Sequence, residues 1–206
     1  MTWKQRVEHI VFYYGKFVLV GVFLIYMFGD LLWEMHREKP EPLFSGSTIN
    51  VQISYDLHTA LVDDLFVYMG GTDPEKQEVT LIANRVSEMD FNMNTSVKTQ
   101  LMAYSYDYVI MDQEALDRMI ASKAFADLTL VLPEEKLEPW SDRFAYVSKD
   151  EKKYPVAINI TGTPLAQECT YSGEYIYLAF PVHIDRAWVV EPFFDYLCQE
   201  LLIQNP

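Results

Sequence analysis

Cysteine is nearly missing from this chain: Cys169 and Cys198 stand far apart, without the close spacing of a metal site. That excludes a thiolate metal centre and a disulfide-stapled scaffold, and leaves one bridge or two buried thiols as the alternatives. Glycine is scarce as well, with 8 in 206 residues. None belongs to a phosphate-cradling loop or a Gly-x-Ser-x-Gly elbow, and no Cys sits beside a His as a nucleophile would. Positive charge is the third shortage, with 16 Lys and Arg against 30 Asp and Glu and a net charge of −14. Up to Pro42 the acids (Glu8, Asp30, Glu34, Glu38, Glu41) cancel the bases (Lys4, Arg6, Lys16, Arg37, Lys39), so the whole excess belongs to the chain beyond Pro42. Such a domain repels nucleic acid and anionic cell-wall polymers. Its acidity serves solubility before it serves any cation. Internal repeats and low-complexity tracts are absent too.

The chain does have an uncharged apolar run from Phe17 to Gly29, 13 residues long. At about 1.5 Å per residue it covers roughly 20 Å, short of the ~30 Å hydrocarbon slab. Extended from Ile10 to Trp33, with Lys16 and Asp30 near opposite boundaries, it spans the slab with room for tilt. Phe17, Leu24 and Tyr26 lie inside this span, and Tyr13, Tyr14 and Trp33 fall where interfacial aromatics belong. Lys4, Arg6 and Lys16 precede the core, whereas Asp30 and Glu34 come after it. The positive-inside rule then puts the N-terminus in the cytoplasm and the bulk of the chain outside. A cleaved signal peptide needs small residues at alternate positions just past the core, but Met27-Phe28-Gly29-Asp30-Leu31 lacks them and no Cys is placed beyond it for lipid attachment. The reading is an uncleaved anchor in the cell membrane, preferred to a cleaved signal or a buried helix of a soluble protein.

The chain divides into three segments: a cytoplasmic stub and anchor over 1–36, a linker over 37–46, and one α/β domain over 47–206. Ile49, Val51 and Ile53 alternate as a first strand, and Leu57, Ala60, Leu61, Leu65 and Met69 mark a helix that Gly70-Gly71 stops. Val79, Leu81 and Ala83 form a second strand, Val97 to Tyr104 a helix, and Tyr108 to Met111 a short buried strand. Asp112 caps the helix of Ala115, Leu116, Met119 and Ile120. Tyr154 to Ile160 is extended, Thr163-Pro164 starts a helix, Tyr175 to Val182 is a strand, and Trp188 to Ile203 is an amphipathic helix. This alternation predicts a three-layer α/β domain.

The chemical candidates are thin. His183-x-Asp185 supplies two metal ligands, with His58 as a third, but the spacing demands no metal; the segment reads better as a loop whose Asp185 caps the final helix. Asp63-Asp64 and Glu134-Glu135 are sequence neighbours, so on a helix they diverge by about 100° and cannot face one another across a substrate. No pattern asks for a cofactor, and binding is favoured over catalysis. Tyr171, Tyr175, Tyr177, Trp188, Phe193 and Phe194 make the last third aromatic, mostly for core packing, with stacking on a sugar or anchoring of a partner protein as the alternative.

Asp107-Tyr108-Val109-Ile110-Met111-Asp112, with a helix after it that closes in Lys123-Ala124-Phe125-Ala126-Asp127-Leu128, resembles a strand and helix of bacterial extracytoplasmic solute-binding proteins of the type 2 periplasmic-binding fold. Tyr154-Pro155-Val156 resembles the stretch near their hinge, and Tyr177 to Leu197 their strand-then-helix ending. Tyr104 and Lys123 stand where those proteins have glycine, and the length suits one of their two lobes. The resemblance implies a single-lobe α/β fold and a cleft lined by Asp112 and by the loop of Asn159, Thr161 and Thr163. The expectation is a membrane-anchored, extracytoplasmic binding domain that contacts lipid through its helix. Its role is docking to a membrane protein such as a transporter, or reception of a small solute, with a cell-surface hydrolase as the outlying choice.

Overall fold

The computed structural model describes residues 3–36, 40–86, 91–103, 106–149, 152–184 and 186–202. It divides into two compact units, Met1–Lys39 and Pro40–Pro206. The first is one helix, α1 (Trp3–His36). Phe17, Leu24, Tyr26 and Trp33 on it are 62, 45, 71 and 76% exposed. Among the described residues no helix is long and apolar enough to cross a membrane. In α1 the side chains are described without a break only from Phe17 to Trp33, roughly 25 Å of helix; the expected span from Ile10 includes positions outside that description, the Lys16 side chain among them.

The second unit runs β1 (Glu41–Ile49), β2 (Val51–Ile53), α2 (Tyr55–Tyr68), β3 (Gln77–Asn84), α3 (Phe91–Met102), β4 (Tyr108–Asp112) and α4 (Gln113–Ile120). It continues through α5 (Leu128–Val131), α6 (Glu134–Leu137), β5 (Phe144–Lys149), β6 (Lys152–Asn159), α7 (Pro164–Gln167), β7 (Cys169–Tyr171), β8 (Ile176–Ala179) and α8 (Val190–Leu202). One mixed sheet has the order β3-β1-β4-β8-β6-β5, and a two-stranded ribbon pairs β2 with β7. β1 is parallel to β3 and β4, whereas β8 is antiparallel to both β4 and β6.

Every residue of β4 and of β8 is buried, which is why Tyr108 to Met111 and β8 read as unbroken apolar runs. The two-residue period of β4 sends its side chains to opposite faces. Tyr108 and Ile110 join Leu65 of α2, Met69 just after it, and Phe193, Phe194 and Leu197 of α8. Val109 and Met111 join Val97 and Leu101 of α3 and Leu116 and Met119 of α4. Helices therefore cover both faces of the sheet, giving the expected three α/β layers.

The opening of this unit departs from expectation. Residues Glu41 to Gly46, expected in the linker, belong to β1, which pairs along its length with β3. Ser45 and Gly46 fall within the expected linker, yet small side chains are what this central strand requires: a Cβ on Gly46 would lie 2.1 Å from Cζ of Tyr108. The strand expected over Ile49 to Ile53 is broken at Asn50, whose φ of +59° turns the chain from the sheet into β2. Asparagine tolerates that left-handed conformation, and an alternation count cannot see it. Lys123 also has a left-handed φ, +57°, so the turn after α4 has the form glycine favours although lysine occupies it; Tyr104 lies outside the described residues. The edge strand β5 has no counterpart among the expected strands, and the final helix opens with a 3-10 turn over Ala187–Val189.

The sheet is locked at the amino ends of β1 and β4. Asp107 is 2% exposed; its Oδ2 accepts from the Ser45 amide at 2.8 Å and from Nη2 of Arg186 at 2.8 Å, and its Oδ1 from Nε of Arg186 at 3.1 Å. Arg186 also donates from Nη1 to the Pro42 carbonyl at 2.8 Å. A rigid planar fork thus ties the start of β1 to the loop after β8.

Candidate functional site

The carboxyl ends of β1, β3 and β4 meet at one edge of the sheet. The chain passes from β1 outward to β3 and then back across β1 to β4, so this edge is where the strand order reverses, the usual location of ligands in open α/β sheets. A cleft of about 410 Å³ opens there, lined by Asn50, Gln52, Asn84, Arg85, Asp112 and Thr170 among others.

Asn50 organises it. Its Oδ1 accepts from the Val86 amide at 2.8 Å, and its Nδ2 donates to Oδ1 of Asp112 at 3.3 Å. Its own amide donates to the Asn84 carbonyl at 3.0 Å. One side chain therefore bridges the tips of β3 and β4. Sequence reasoning missed it; the available signal was an asparagine interrupting an apolar alternation.

Asp112 is the N-cap of α4, as expected: Oδ1 accepts from the Ala115 amide at 2.8 Å. The whole residue is buried, and Oδ2 has no hydrogen-bond partner among the described residues. Burial pushes its carboxyl above the ordinary value of 3.8, against the pull of the Ala115 and Asn50 amides, with Glu114 raising it further and Arg118 lowering it. Glu114, on the same cleft, engages Arg118, which donates from Nε at 3.1 Å and Nη2 at 2.8 Å.

The other expected site residues lie apart from this group. Asn159 Oδ1 accepts from the Thr161 amide at 2.9 Å, and Thr161 Oγ1 accepts from the Ile176 amide at 3.0 Å. Thr163 caps α7 by accepting from the Ala166 amide at 3.2 Å, and it borders an apolar groove with Leu57, Leu61 and Tyr196. These side chains shape their own loop and helix start; Asp112 alone of the four lines the strand-tip cleft.

Among the described residues no group of three or more His, Cys, Asp or Glu is placed to hold a metal ion. His58 donates from Nε2 to the Leu81 carbonyl at 3.1 Å; Asp185 lies outside the described residues. Cys169 is a free thiol, pushed up to about 11 by burial and by Glu168, and the side chain of Cys198 lies outside the described residues. Phe193 and Phe194 are buried, in keeping with a packing role, whereas Trp188 is 60% exposed. No family model matches the chain, and no curated protein and no solved structure is detectably similar to it.

Proposed function

We propose that this chain is a single-pass membrane protein, with its N-terminus cytoplasmic, that holds an acidic α/β binding domain at the outer surface. The domain is similar to one lobe of a solute-binding protein and serves a membrane transporter or another envelope complex. The observation that carries the anchor is α1: its described large apolar side chains from Phe17 to Trp33 are all exposed. A helix apolar on every side has no stable place in water; lipid is the solvent that suits it. The flanking bases and the acidity of the remainder agree on which side is which. A β8-then-α8 ending supports the resemblance to solute-binding proteins.

Expression in bacterial cells tests it. After alkaline carbonate washing the chain stays in the membrane pellet, and protease added outside spheroplasts removes residues 47–206. Release into the carbonate supernatant, or full protection from external protease, overturns the proposal.

Reception of a small solute is favoured over pure docking by one feature, the polar strand-tip cleft with Asp112 in its wall. Its volume suits a small ligand. The reading is binding rather than catalysis.

A further inference from the structure

We propose that the strand-tip cleft takes its solute by a protonated amine, with the Asp112 carboxylate as counter-ion. The inference rests on reading the cleft as a binding site and names the chemistry of what enters it.

The two oxygens of Asp112 are served unequally. Oδ1 accepts two hydrogen bonds, from Ala115 at 2.8 Å and Asn50 at 3.3 Å; Oδ2 accepts none among the described residues. A buried carboxylate oxygen without a donor is costly, and its ordinary remedy is a charged donor. No described donor reaches Oδ2: Arg118, whose charge is felt at Asp112, is engaged by Glu114 at 2.8 Å, and Arg85, exposed on the cleft wall, makes no hydrogen bond to Oδ2. What Oδ2 lacks is a charged donor of its own.

Other ligand classes satisfy less of this. An anion would meet two acids, Glu114 and Asp112, against the single exposed guanidinium of Arg85, and the Ala115 amide that could hold it at the start of α4 is already taken by Asp112. A calcium-like cation needs six or more oxygens, and the described residues gather no such cluster. A hydroxyl offers one donor but leaves the charge uncompensated. An ammonium supplies the charge and three donors; Oδ2 takes one, the place on Oδ1 that Asn50 vacates takes a second, and Gln52, Thr170 and Ser172 on the cleft wall carry oxygens for the third. Because Asp112 is fully buried, the amine enters as the Asn50 amide, the longer of the two bonds to the carboxylate, gives way.

The test uses the full chain in detergent and isothermal titration with ethanolamine, putrescine and cadaverine against ethylene glycol, 1,4-butanediol and succinate. Asp112→Asn removes the charge and keeps a competent cap; Ala83→Trp fills the cleft from an exposed position on its wall. At least one amine binds saturably while its matched diol does not, Asp112→Asn weakens it about 10- to 100-fold, and Ala83→Trp abolishes it. Binding lost in Ala83→Trp but unchanged in Asp112→Asn, or a diol or succinate binding as well as the amine, overturns the amine and leaves the cleft standing. No saturable binding by any probe overturns both.

Discussion

Two acidic side chains separated by one short strand lead opposite lives. Asp107 is buried with its countercharge: Arg186 meets it through Nε and Nη2. Removing one partner of such a pair strands the other in a poorly solvated place, so Arg186→Ala destabilises the domain by about 3–5 kcal/mol. Arg186→Lys recovers only part of that, because a point charge cannot replace the fork. Urea unfolding monitored by circular dichroism reads both. Asp112 is buried without countercharge among the described residues, and its carboxyl titrates above the ordinary value. The folded state therefore holds the proton more tightly than the unfolded chain, and this residue's contribution is greatest below about pH 4 and declines as pH rises through the folded-state pKa. Asp112→Asn keeps the cap and removes that decline, so it matches or exceeds the parent in stability at pH 7, with the difference vanishing near pH 3. Asp112→Ala loses the cap and falls about 1 kcal/mol. Melting temperatures across that pH range separate the two variants.

At the scale of elements, the close approach of β1 and Tyr108 makes Gly46 irreplaceable. Tyr108 stacks on Phe44 at 4.9 Å between centroids and packs on Phe193 at 4.0 Å, so its ring has nowhere to move. Gly46→Ala costs at least about 1–3 kcal/mol by overpacking, measured as a shift in the urea midpoint. The same strand shows where sequence reading stops. Elements announced by their own chemistry were legible: the Thr163-Pro164 start of α7, the Asp112 cap of α4, the apolar runs of β4 and β8, and the Gly70 stop after α2. Ser45-Gly46-Ser47 was not, because its meaning depends on a ring delivered by a distant strand. The Asp107–Arg186 pair spans 79 positions and leaves no local mark. For the site, Asp112 was legible as a strand-tip acid, but the loop of Asn159, Thr161 and Thr163 was not separable from it, since only the fold decides which tips share a cleft.

The whole molecule sets a division of labour by charge and solvent. Residues through Pro42 carry as many acids as bases, and the −14 of the chain is concentrated after them. Long-range repulsion at that charge keeps polyanions away at low salt, where electrostatics is strongest. The protein accordingly passes through a heparin column without retention at about 50 mM salt, where screening is weak. Retention on that column overturns this reading of the charge. The free, partly buried thiol of Cys169, held near 11, stays protonated at neutral pH, so the α/β unit presents a weak nucleophile at that position.

Asn50 has one amide group and two clients: its oxygen holds Val86 at the tip of β3, and its nitrogen holds Asp112 at the tip of β4. Whatever enters the cleft and takes the nitrogen's place also frees the amide plane to swing, loosening its grip on Val86. Deuterium uptake at that single backbone position then becomes a gauge of occupancy, accelerating as the cleft fills, legible without a label on the solute and before its identity is known.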